Sequence, residues 1–213
     1  MPKVWLIRHG ESVSNANLPT THPAESALTP QGEEEAKTIV SAFKKAPDLI
    51  VVSPYIRAQQ TAVPTQQAFP YVPTEEWPVH EFTYLHPKRY NGTTGSERGP
   101  FAQAYWERND PHEKENGGGE SFAELMARIQ ETKARLAQHP VDFIAVFSHG
   151  LFLRGMIWHF LTNNTETTKE SMWSYNRFVW SVRMPNCSIV EVNFNEGQSL
   201  TFSGFMINHL SNA

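Results

Sequence analysis

Three short apolar runs, each cut off by a polar or cationic residue and then a helix start, constrain this chain more than any other feature. Residues 4–7 end at Arg8-His9-Gly10, residues 49–52 at Ser53-Pro54 with Arg57 just beyond, and residues 141–147 at Ser148-His149-Gly150. Each reads as a buried strand that stops abruptly. In open α/β sheets, ligands sit beyond the carboxyl ends of the strands. If these three strands are parallel neighbours, two arginines and two histidines meet at one sheet edge. Like charges gathered there repel, and an anionic ligand relieves the repulsion. A phosphoryl group suits such a cluster, because guanidinium groups grip its oxygens in a fork.

The rest of the chain alternates strands and helices. Residues 13–28 form a polar loop. Thr29-Pro30 then opens a helix, with Thr as N-cap and Pro in the first turn. Glu33, Glu34 and Glu35 follow, and Ala36, Ile39, Val40 and Phe43 mark a buried face that Pro47 closes. A second helix follows Arg57, and Pro64 is expected to end or kink it. Residues 79–82 read as a third short strand. Residues 83–120 resist assignment: they carry a run of three glycines, Gly117-Gly118-Gly119, among many aromatics, and read as a packed lid with a short helix over 101–108. Ser121 and Glu124 form a capping box for a helix that runs to Pro140. Helices over 151–161 and 169–180 follow, then alternating strands over 188–194 and 199–205 around a hairpin turn at 195–198. That hairpin offers an edge for pairing.

Composition narrows the partners. A chain of 213 residues suits one domain with one substantial core, with 83–120 as an insertion. The formal net charge of −4 argues against nucleic-acid binding and against attraction to an anionic membrane. Cys187 is the only cysteine, so no intrachain disulfide forms, as fits a reducing compartment. The opening apolar run is too short for a signal-peptide core and no run approaches a membrane span, so a soluble, cytoplasmic protein is expected. No metal-type histidine spacing such as H-E-x-x-H occurs among the nine histidines.

At this point the chain resembles the histidine phosphatase superfamily, which includes the cofactor-dependent phosphoglycerate mutases. The resembling residues are Leu6-Ile7-Arg8-His9-Gly10-Glu11-Ser12 with Asn15, Leu28-Thr29-Pro30-Gln31-Gly32, Ser53-Pro54 with Arg57-Ala58 and Gln60-Thr61-Ala62, and Ser148-His149-Gly150. The likeness runs the length of the chain, with 83–120 as the variable insertion. It implies an α/β fold, a three-layer α/β/α sandwich with a mostly parallel central sheet. It implies that His9 attacks phosphorus and becomes a phosphohistidine, which water hydrolyses. Arg8, Arg57 and Asn15 would hold the phosphoryl oxygens, and His149, if protonated, would stabilise the transferring charge. Fixed cations do the neutralising, so no metal or other cofactor is implied. Glu81 stands at the family's usual position for the general acid, with Glu75 and Glu76 as local competitors.

Within the family, the mutases resembled carry an Arg-x-Tyr-Gly continuation after the acid, where this chain has Phe82-Thr83-Tyr84-Leu85. The departure favours a metal-independent phosphatase, a histidine acid phosphatase-type phosphoric monoester hydrolase, acting on a small phosphomonoester or a phosphoprotein. A mutase remains open if Lys88, Arg89 and Arg98 surround the pocket, as does an idle phosphate-binding scaffold. Specificity is expected from Tyr84, Arg89, Tyr90, Arg98 and Trp106.

Overall fold

The computed structural model describes residues 2–194 and 200–212. Among these, six strands form one sheet: β1 (Lys3–Arg8), β2 (Leu49–Val52), β3 (Thr74–Glu76), β4 (Phe143–Ser148), β5 (Ile189–Phe194) and β6 (Leu200–Phe202). Their spatial order is β3-β2-β4-β1-β5-β6. The first four run parallel, while β5 and β6 add an antiparallel edge. The three apolar runs are therefore the adjacent central strands, with β4 between the other two.

Alternate residues of each strand enter opposite cores, because successive side chains point to opposite faces. Val4, Leu6, Val51, Ile144 and Val146 face the core built with α3 (Gly95–Arg108), α4 (Phe122–Gln138), α5 (Gly150–Thr162) and α6 (Lys169–Ser181). Trp5, Ile7, Ile50, Val52 and Phe147 face the core built with α1 (Pro30–Ile39) and α2 (Ile56–Ala68). Each wholly buried Leu, Ile or Phe contributes roughly 1.5–3 kcal/mol. After β1 the chain leaves toward α1 on one face, and after β4 toward α5 on the other. The crevice between these exits is a topological switch point, where open α/β sheets bind ligands. No described helix is long and apolar enough to cross a membrane.

Several elements differ from the sequence reading. Residues 79–82 form no strand; the edge strand is β3, slightly earlier. Pro78 has no N–H to give a ladder. The carbonyls of Pro78 and His80 accept instead from Arg128 (2.6 and 3.1 Å), and that of Val79 from the Ser148 hydroxyl (2.6 Å). The helix expected over 101–108 begins earlier, at Gly95, because Thr94 and Glu97 make a capping box that the neighbouring Gly99 and Pro100 mask in the sequence. Pro64 does not end α2, which continues to Ala68 with Thr61 and Thr65 buried against the sheet. α1 tightens after Ile39 into a 3-10 turn over Val40–Ala42 and stops short of Pro47. β5 and β6 pair as expected, while the turn proposed at 195–198 lies outside the described residues.

Candidate active site

The sheet register assembles the cluster. Arg8 pairs with Ser148 across β1 and β4, and Val52 with Phe147 across β2 and β4, so all three strands end level. The His9 N–H donates to the Ser148 carbonyl at 3.0 Å, and the Ser53 N–H to that of Phe147 at 3.0 Å. The turn after β1 is tight. A Cβ on Gly10 would lie 2.5 Å from the Gly32 carbonyl oxygen, so only glycine lets this turn rest on the start of α1.

His9 is 3% exposed, with its ring fixed at both nitrogens. Nδ1 lies 2.7 Å from the Gly10 carbonyl oxygen, which can only accept, so Nδ1 carries the proton. Nε2 is left with its lone pair and accepts from Arg57 Nε at 3.1 Å. Burial, then the charges of Arg57 and Arg8, hold the imidazole pKa well below its ordinary value. The ring is neutral, with a basic nitrogen aimed among guanidinium groups.

Arg57 is buried, and its Nη1 donates to the Pro23 carbonyl at 2.7 Å. Arg8 donates through Nη1 to the Met184 carbonyl, while its buried Nε has no partner among the described residues. Desolvation lowers the Arg8 pKa to about 10, and it stays charged. His149 is wholly buried, its ring centre 5.1 Å from that of His9. Its Nε2 shares a 2.7 Å hydrogen bond with the Ser53 hydroxyl, and Nδ1 has no partner. Burial, with Arg57 and His9 nearby, holds its pKa well below the ordinary value. The resemblance implies a protonated His149, and burial and the nearby Arg57 disfavour that form in the arrangement seen here. Asn15 is exposed; its Oδ1 accepts from the Ser12 N–H and hydroxyl (3.2 and 3.0 Å), which leaves the amide nitrogen to the pocket.

Glu81 reaches the same cavity from the other side. Oε1 accepts the N–H groups of Phe82, Leu151 and Phe152 (3.0, 3.0 and 3.1 Å), and Oε2 shares that of Leu151 at 3.2 Å. The carboxylate thus sits on the N-terminus of α5, where unpaired N–H groups favour negative charge. Its competitors lie elsewhere. Glu75 accepts from Trp77 and Arg135 (both 2.7 Å), and Glu76 from Gln59 (3.2 Å).

Arg8, His9, Asn15, Arg57 and Glu81 line one cavity of about 160 Å³, whose far wall includes Tyr84 and Tyr90; His149 stands outside its lining. Of the five residues expected to set specificity, only the two tyrosines reach it. Arg89 is paired with Glu115 at 2.5 Å and lies over the Phe101 ring. Arg98 is buried, its Nη1 donating to the Thr93 carbonyl (2.6 Å) and its plane covering Tyr90. Trp106 packs on Tyr84 and Tyr105, and Lys88 does not line the cavity. Among the described residues, no group of three or more His, Cys, Asp or Glu side chains is placed to hold a metal ion.

Three supporting residues went unassigned in the sequence reading. Ser53 and Thr61 both lie inside the quoted motifs. The Thr61 hydroxyl accepts from the Gly10 N–H (3.1 Å) and donates to the Arg57 carbonyl (2.6 Å), which ties the β1 turn to α2. Arg128 gave no local signal. It forks onto Glu120 (2.7 and 3.0 Å) and holds the 78–80 segment that leads into Glu81.

Comparison with known proteins agrees with this architecture. The family described as histidine phosphatase superfamily (branch 1) matches residues 4–202. The "Probable phosphoglycerate mutase GpmB" of Salmonella typhi is 26% identical over 97% of this chain and 91% of its own length. Among solved structures, the alpha-ribazole phosphatase of Shigella flexneri superposes with a TM-score of 0.73 at 22% identity, covering 95% of both chains. A phosphoserine phosphatase mutant of Entamoeba histolytica, in complex with phosphoserine, gives 0.72 at 21% identity over 99% of this chain and 100% of that one. At these identities the structural likeness speaks for the fold.

Proposed function

The chain belongs to branch 1 of the histidine phosphatase superfamily, and within it we propose a metal-independent phosphatase that works through a phosphohistidine on His9. The observation that carries this reading is the state of the His9 ring: Nδ1–H locked on Gly10 and a bare Nε2 beside Arg57. Nε2 attacks phosphorus in line, and the bond from phosphorus to the ester oxygen breaks as the N–P bond forms. Arg8, Arg57 and the Asn15 amide hold the three non-bridging oxygens. The Arg8 Nε and His149 Nδ1, buried without partners, gain one when a phosphoryl group arrives. The Tyr55 N–H donates to the Ser53 hydroxyl at 3.2 Å, which lets that hydroxyl donate to His149 Nε2 and leaves Nδ1–H as the donor.

Glu81 is the general acid. Oε1 is committed to three N–H donors, so Oε2 is the oxygen through which a proton passes to the departing alkoxide. The resulting carboxylate then takes a proton from the water that attacks the phosphohistidine, and inorganic phosphate leaves. Positioning and fixed charge do most of the work, as in phosphoryl transfer generally.

Hydrolysis is favoured over mutase chemistry because Lys88, Arg89 and Arg98, the cations expected to retain a bisphosphorylated intermediate, do not line the cavity; Arg89 is paired with Glu115 and Arg98 donates to the Thr93 carbonyl. The histidine acid phosphatase subtype and a cytoplasmic setting belong to the same proposal, as does a single domain in which 83–120 forms the specificity insertion. The test is hydrolysis of p-nitrophenyl phosphate in excess EDTA. Turnover that His9→Ala abolishes is expected. Turnover that needs added metal, or that survives His9→Ala, overturns the reading.

A further inference from the structure

Resting on that phosphatase reading, we propose that the natural leaving group is an uncharged, polyhydroxylated alcohol of the sugar type, so that the substrate is a sugar phosphomonoester rather than one bearing a carboxylate or a second phosphate. The charges in the cavity are segregated. Its cations, Arg8 and Arg57, are those assigned to the phosphoryl group, and its one carboxylate is that of Glu81, the proposed acid. Apart from these and His9 and Asn15, the lining holds hydroxyl, aromatic and apolar groups.

Among the described residues, no further cation lines the cavity. Arg98 Nη1 gives its protons to Thr93 and Thr20, and its face lies 4.3 Å from the centre of the Tyr90 ring. Arg89 is neutralised by Glu115. A second depression adjoins the cavity at Pro23 and Thr83, and its arginine, Arg128, is ion-paired with Glu120 and donates to two carbonyls. His80 in that depression is held neutral, its pKa lowered to about 4 by burial and by Arg128. A carboxylate on the leaving group would therefore be desolvated in a cavity whose two lining cations are engaged by the phosphoryl group, which is unfavourable.

Neutral hydrogen-bonding capacity, by contrast, is plentiful. Among the described residues, the Ser14 hydroxyl and the Tyr90 hydroxyl make no hydrogen bond, and both line the cavity. Burial raises the pKa of the Tyr90 and Tyr84 phenols, so both keep their protons and can donate as well as accept. The rings of Tyr84 and Phe82, with Leu151, supply the apolar wall on which the C–H face of a sugar rests. Sites that hydrogen-bond a substrate hydroxyl reject analogues lacking it far more strongly than apolar pockets reject an extra methylene.

The test compares kcat/KM in EDTA for p-nitrophenyl phosphate, glucose 6-phosphate, ribose 5-phosphate, 3-phosphoglycerate and phosphoserine. Sugar phosphates are expected to exceed the two carboxylate-bearing esters by about a hundredfold. Tyr90→Phe is expected to lose more on the sugar phosphates than on p-nitrophenyl phosphate, and Tyr90→Arg to narrow the gap in favour of 3-phosphoglycerate. Equal or better turnover of 3-phosphoglycerate or phosphoserine overturns this inference while p-nitrophenyl phosphate hydrolysis keeps the phosphatase reading intact. Wild-type protein inert toward every ester overturns both.

Discussion

The two ends of the cavity are built by different means. At the proposed phosphoryl end, polar groups stand at the end of β1 and in the first turn of α2, and each is pinned by backbone: His9 by Gly10 and Ser148, Arg57 by Pro23, Arg8 by Met184. At the leaving-group end, neutral side chains project from the loop before α3 and from the turns after β1. Moving a group at the first end requires a change in sheet register. Changing one at the second requires only a side chain. Under the proposed function, chemistry belongs to the first end and selectivity to the second, and the contrast ranks the expected effects of substitution.

The largest effect falls on His9. His9→Ala should lower kcat on any phosphomonoester by about 10⁴-fold or more, with no dependence on the leaving group. Steady-state rates on p-nitrophenyl phosphate and an alkyl phosphate check this, and a loss confined to one ester would erase the division between the two ends. Glu81→Gln stands at the boundary. It should cost about 10²–10⁴-fold on an alkyl phosphate and far less on p-nitrophenyl phosphate, whose leaving group needs little protonation. A plot of log kcat against leaving-group pKa should steepen in the variant.

Arg128 acts one step removed, as a positioning residue for the segment that carries Glu81. Arg128→Ala should lower kcat on alkyl phosphates about tenfold, steepen the same leaving-group plot, and leave KM nearly unchanged; Arg128→Lys should recover part of the loss. Its fork onto Glu120 is largely shielded, with side chains 13% and 14% exposed, so the alanine variant should also lose about 1–3 kcal/mol of stability in urea unfolding.

The last effect, which leaves activity aside, is a stability slope with pH. The folded-state pKa values of His9 and His149 lie well below the unfolded value of about 6.5, so only the unfolded chain gains those protons as pH falls. Their contribution is intact above about pH 6.5 and is lost below it, at up to about 1.4 kcal/mol per histidine per pH unit. His80 and His159, also lowered by burial, act in the same direction. Urea unfolding at pH 7, 6 and 5 should show the fall, and His149→Asn should remove about one proton from the slope. Saturating orthovanadate should flatten it, because an anion between the arginines favours protonated imidazole.

The phosphoryl end was legible in the sequence because its residues interrupt apolar runs, and a polar residue at a buried strand end stands out. Arg8, His9, Arg57 and His149 all announce themselves this way. What escaped depends on distant partners. Glu81 is recognisable by position, but its cradle comes from the start of α5, 70 residues away. The placement of Arg89 and Arg98 outside the cavity lining involves Glu115 and Thr93, which meet them only in the folded chain. The strand read over 79–82 failed for the same reason: side chains from α4 and the end of β4 claim its carbonyls.

The central claim, that His9 carries the phosphoryl group during turnover, is tested most directly by trapping it. Wild-type protein mixed with p-nitrophenyl phosphate, quenched in alkali within the first turnovers and digested, should yield one phosphoryl group on the peptide that contains His9. The adduct should be stable in alkali, labile in acid and absent from His9→Ala. An active enzyme that shows no such adduct, or a phosphoryl group on any other residue, contradicts the account.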